Sequence, residues 1–169
     1  MNNMAKLCLA AALCAASAAA SATEAHVIVW AEVDPTLALL KADGTALDDA
    51  VELVHRAGSG LTPWNEQVRI FSNDTDKDIE VRLARMVELL PTFAGPGATA
   101  VPMSVTLNSR PLTTTVADFA AADLFNGAIP GASIAMPLIV GQTTPGPITI
   151  AGRYEGLVSI VLNQKTTGP

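Results

Sequence analysis

Short apolar runs broken by Gly, Pro, Asn and Asp recur along almost the whole chain, and this punctuation limits the folds open to it. A run that short can cross a sheet but cannot make the several turns of a buried helix, and the residues between the runs favour chain reversal. "LALLKA" (37–42) ends at Asp43-Gly44, and "AVELVH" (50–55) ends shortly before Gly58-Ser59-Gly60. "EQVRIFS" (66–72) and "DIEVRLA" (78–84) flank the polar stretch 73–78, which predicts a hairpin with alternating faces. "VPMSVTL" (101–107) turns at Asn108-Ser109, and "IAMPLIV" (134–140), "PITIAG" (147–152) and "YEGLVSIVLNQ" (154–164) follow. Strands at this spacing predict an all-β sandwich. One segment departs from the pattern. In "TTTVADFAAADLF" (113–125), Thr115 precedes Asp118 by three residues and Phe119 shares a helical face with Ala122, predicting one short helix in a connection.

The first 22 residues read as an export leader, with Lys6 in a positive start, the apolar run "LCLAAALCAA" and the small-residue site Ala20-Ser21-Ala22. The apolar run is too short to span a bilayer, where about 20 residues are needed. Removing the leader leaves 147 of the 169 residues, a length suited to one domain. Both cysteines, Cys8 and Cys14, go with it. Disulfides, thiolate metal sites and cysteine nucleophiles are thereby excluded from the exported chain, which must gain stability from its core or from association. With Lys6 gone, 9 basic side chains face 16 acidic ones, a net of −7. No basic run is present, so nucleic acid is not expected as a partner.

Behind the leader stands "TEAHVIVWAEVDP" (23–35), an alternating strand with Val27, Val29, Ala31 and Val33 on one face and Ile28, Trp30 and Glu32 on the other. Such a strand needs a partner, because its unpaired backbone groups would otherwise invite aggregation. The last strand, Leu157 to Leu162, has apolar residues on both faces and predicts burial on both sides.

Motifs that carry chemistry are weak. "NDTDKD" spaces Asp74, Asp76 and Asp78 like the start of a calcium loop, but Ile79 and Arg85 stand where the loop needs its glycine and glutamate, which leaves a solvated turn. "GPGATA" from Gly95 has no βαβ context for a dinucleotide loop. His26 and His55 are the only imidazoles, without further ligands at zinc spacing, and Ser59 lacks the setting of a nucleophile elbow. No enzyme, metal or cofactor is expected. A secreted hydrolase would need His26 or His55 and a carboxylate to converge on a serine.

"VDPTLALLKADGTAL", "SNDTDK", "VPMSVTLNSRPLTTTVADFAAADLF" and "AGRYEGLVSIVL" together resemble a major pilin of the CFA/I-like colonisation factor fimbriae. This is the alternate chaperone–usher (class 5) family, which includes cable pilin. The resemblance implies an incomplete immunoglobulin-like sandwich, completed by a donor strand from a neighbouring subunit. By position, Val27, Val29, Ala31 and Val33 match the donor residues, and Asp34 and Pro35 match the end of the donor strand. Tyr154, Gly156, Val158, Ile160 and Leu162 match the C-terminal strand that pairs with a periplasmic chaperone and borders the groove. The implied division is a leader over 1–22, a donor extension over 23–34 and a pilin domain over 35–169. The implied partners are copies of the chain in a head-to-tail filament, the periplasmic chaperone, an outer-membrane usher and a tip adhesin. The implied location is a cell-surface fimbrium reached through the periplasm. The implied function is a structural shaft subunit serving attachment. The alternative is a subunit that itself binds a host receptor along the shaft, with Trp30 and Trp64 as aromatic contacts.

Overall fold

The computed structural model of the chain describes residues 37–127 and 129–165. Among these, strands β1 (Leu37–Lys41), β4 (Trp64–Ser72), β6 (Glu88–Ala94), β7 (Val101–Leu107), β8 (Arg110–Leu112), β10 (Met136–Gln142) and β11 (Gly152–Glu155) form one antiparallel sheet. Its order is β1-β4-β10-β7-β6-β11, with β8 paired to the end of β7. A second sheet has β5 (Ile79–Leu83) between β12 (Ile160–Gln164) and β9 (Ala117–Phe119). A small hairpin joins β2 (His55–Arg56) to β3 (Gly60–Leu61), and α1 (Ala121–Leu124) is a single helical turn. The all-β expectation holds. No helix among the described residues is long and apolar enough to cross a membrane.

Period-two alternation builds the core. Val68 and Ile70 of β4, Met103, Val105 and Leu107 of β7, and Met136 and Leu138 of β10 turn inward from the large sheet. Ile79, Val81 and Leu83 of β5, with Phe119 of β9 and Leu124 of α1, meet them from the other side in one buried cluster. The β7–β8 reversal is a two-residue turn, since Leu107 pairs with Arg110. Asn108 and Ser109 both take positive φ, 49° and 64°, the twist that suits tight hairpins.

Three expectations require correction. Residues 73–78 do not close a hairpin: β4 pairs with β1 and β10, whereas β5 pairs with β12 and β9. Each strand buries its apolar face against the opposite sheet, and the link steps between layers that lie about 10 Å apart. The segment predicted as a helix begins as β9, because Ala117–Phe119 pairs with β5 and buries Phe119. Only one helical turn follows, its Ala121 N–H bonded to Asp78 Oδ1 at 2.9 Å, so the cap comes from a different segment. "AVELVH" and "PITIAG" yield strand only at His55 and Gly152, and Val51 and Val54 are exposed.

Candidate functional site

Two strands end their sheets side by side, and each has hydrogen-bonding partners on one side only among the described residues. β1 pairs with β4, and β12 pairs with β5. Register decides which side chains face inward. Leu37 and Leu39 lie opposite Ser72 and Ile70, both buried, while Ile160 and Leu162 lie opposite Leu83 and Val81. These four, with Val158, pack on the core yet remain half-exposed. By contrast Ile79 and Val81, on the neighbouring strand, are 0% exposed. The result is an apolar groove walled by two strand edges whose N–H and C=O groups can each pair with a further strand.

The two walls run in opposite directions. Gln164 Nε2 donates to Ser72 Oγ at 2.8 Å and to the Asp74 carbonyl at 3.2 Å, which ties the end of β12 to the strand that pairs with the start of β1. Ser72 is buried and its hydroxyl is fully used: it donates to Asp74 O (2.8 Å) and accepts from Asp74 N–H (3.0 Å) as well as from Gln164. Lys165 extends this end, its N–H on Asp78 O at 2.8 Å and its ammonium on Asp118 Oδ2 at 3.2 Å. The hydrogen bond to Asp118 holds the Lys165 ammonium above the usual lysine range. At the other end the chain preceding β12 is held by Ala84 N–H on Ser159 O at 2.9 Å.

The C-terminal residues singled out in the sequence divide between two places. Val158, Ile160 and Leu162 border the groove. Tyr154 belongs to β11, paired with Pro91 of β6, and its hydroxyl donates to Ile150 O at 2.8 Å. Gly156 lies hard against β6: a Cβ there would come within 2.3 Å of the Glu88 carbonyl oxygen and 2.9 Å of Leu89 Cδ2. Tyr154 and Gly156 therefore fasten the segment to the large sheet before it crosses to the small one. Burial on both faces of 157–162 is not found, since Leu157 is exposed and the rest are half-buried. Val27, Val29, Ala31, Val33, Asp34 and Pro35, with Trp30 and His26, lie outside the described residues.

Nothing with the layout of a catalytic centre forms among the described residues. His55 and Ser59 sit on the exposed β2–β3 hairpin, and no three His, Cys, Asp or Glu among the described residues are grouped to hold a metal. Asp74 accepts the Asp76 N–H within its own turn, as turn chemistry expects, whereas Asp78 accepts the Ala121 N–H at the start of α1. Trp64 is half-buried and packs against the core. Sequence reasoning passed over Gln164, Ser72, Leu37 and Leu39 as site residues. The alternation in "LALLKA" carries a signal for the last two, but none marks the polar bridge.

The family model for the CS1 type fimbrial major subunit matches residues 23–163. A CFA/I fimbrial subunit of Escherichia coli O78:H11 is 34% identical over 148 residues, covering 85% of this chain and 86% of the relative. A CS1 fimbrial subunit of Escherichia coli is 33% identical over 159 residues, covering 89% and 91%. Among solved structures, the CooA pilin from enterotoxigenic Escherichia coli superposes with a TM-score of 0.63 at 25% identity, covering 80% of this chain and 91% of that one.

Proposed function

The chain belongs to the CS1 type fimbrial major subunit family and is a structural component of a cell-surface fimbrium, and from this we propose that it polymerises by donor-strand exchange. Val27, Val29, Ala31 and Val33 of one copy enter the groove between β1 and β12 of the next. The observation that carries this reading is the half-exposure of Leu37, Leu39, Ile160 and Leu162 beside two one-sided strand edges. An added strand meets both needs at once, through backbone ladders and through alternate side chains set on the groove floor. Covering four aliphatic side chains contributes about 4–8 kcal/mol, at about 1–2 kcal/mol each, before ladder bonds are counted. Pro35 has no N–H for a ladder and ends the donor.

Residues 1–22 act as the leader, 23–34 as the donor extension and 35–169 as the pilin domain. A periplasmic chaperone holds the groove until an outer-membrane usher delivers the chain, and a tip adhesin subunit joins the filament. A head-to-tail contact of this kind does not close on itself, so it propagates as an open helix. The assembly involves no covalent step and calls for no catalytic residue.

The test is a chain lacking 23–33. It should form no filaments by electron microscopy, while an added peptide of residues 23–34 should raise its melting temperature. Filaments from the truncated chain would remove the donor assignment.

A further inference from the structure

The groove is bridged at one end and open at the other, and the open end is flanked by exposed aliphatic side chains. Pairing places them. Leu83 lies opposite Ile160, Ala84 N–H bonds Ser159 O, and Gly156 abuts the Glu88 carbonyl, so residues 85–87 run beside 157–158. Met86 and Leu157 are thereby neighbours, 64% and 61% exposed. Leu90, 51% exposed, continues the flank opposite Glu155. Contiguous exposed side chains of this size mark an interaction surface.

Chain length indicates the occupant. Val33, the last donor position, and Leu37, where β1 begins, are separated by only three residues. Even fully extended, that link spans at most about 14 Å. A copy whose donor strand fills a groove therefore keeps its own sandwich at the groove's mouth. The Gln164–Ser72 bridge obstructs one end, so the link leaves at the other, beside Leu157. We propose that Met86, Leu90 and Leu157 seat the body of the second copy that supplies the strand. Adjacent copies are then joined by two surfaces, a strand in a groove and a sandwich on its shoulder. This inference rests on the donor-strand reading.

The test uses full-length chains carrying Leu157→Cys, Met86→Cys or Val29→Cys, with labelling mapped by peptide to separate these thiols from Cys8 and Cys14. In a purified two-subunit species only one groove is filled and no lateral neighbours exist. Half of the thiols introduced at 157, at 86 and at 29 should react about tenfold more slowly than in dissociated subunits. Full reactivity at 157 and 86 with half-protection at 29 would overturn the seat and leave the donor reading standing. Full reactivity at all three removes the donor reading and the seat with it. Protection at 157 and 86 with full reactivity at 29 also overturns the proposal, because the surface would then join copies without a donor strand.

Discussion

Gln164 reaches across from the last strand of the small sheet to donate a 2.8 Å hydrogen bond to Ser72, 92 residues away at the end of β4. It is a polar bolt between two layers, and it sits at one end of the groove that an incoming strand would fill.

Gln164→Ala should lower the dissociated subunit's stability by about 1–2 kcal/mol, the usual worth of one or two hydrogen bonds. Gln164→Glu should cost more. It presents acceptor oxygens to a Ser72 hydroxyl whose hydrogen already goes to Asp74 and to the Asp74 carbonyl itself. Urea unfolding of the two variants checks the order.

Leu162→Ala separates the subunit from the filament. In the dissociated subunit Leu162 is half-buried, so truncation should cost about 1 kcal/mol. In filaments, if the proposed donor strand covers it, the cost should rise to about 2–3 kcal/mol. Equal losses in denaturant titrations of both forms would mean that nothing further covers Leu162 on assembly.

Gly156→Ala should destabilise by about 2 kcal/mol or more, because its Cβ meets the Glu88 carbonyl oxygen, whose strand is held in place by pairing with β7 on one side and β11 on the other. Amide exchange should quicken in 88–94 and 152–155 while the β4 and β7 amides remain protected.

Ser109→Gly should stabilise by about 0.5–1 kcal/mol, since position 109 holds a positive φ that costs a residue with a Cβ more than it costs glycine. Thermal unfolding reads the gain directly.

Dependence on pH should be shallow, because the perturbed groups are at the surface. Hydrogen bonds from the Thr45 hydroxyl and N–H hold the Asp43 carboxyl below its usual 3.8. Its contribution is in place above that value and is lost as pH falls through the lowered folded value. Lys41, bonded to Asp48, and Lys165, bonded to Asp118, are raised above 10.5, so their contributions are in place below that value and are lost as pH rises through the higher folded values. Carboxyl chemical shifts should place the Asp43 midpoint below 3.8, and Thr45→Ala should move it back toward that value.

Legibility followed the range of the interactions involved. β7 and its Asn108-Ser109 turn were readable because alternation and turn chemistry are local. The partners of β4 and β5 were not, since alternation tells which face is buried and not what buries it. β6 went unanticipated: "ELLPTFA" carries Pro91 and lacks clean alternation, and β11 and the start of β7 hold it in place. The C-terminal strand walling the groove could be read from its apolar residues, but its one-sided burial could not, since a run apolar on both faces does not say that one of them stays half-exposed. The opposite wall looked like any other strand, and a bridge such as Gln164–Ser72 is set by the meeting of two sheets that no local pattern encodes.

β1 begins at Leu37, and under the donor-strand reading the residues just before it plug the neighbouring copy. One continuous stretch of chain is then both the plug of one groove and the wall of the next. Tension on a filament would enter each copy along the axis of β1 and pass into β4 across five residue pairs loaded together. A strand pulled lengthwise must shear all of its ladder bonds at once instead of opening them one by one, so the same connection that assembles the chain would also make it a tether resistant to flow.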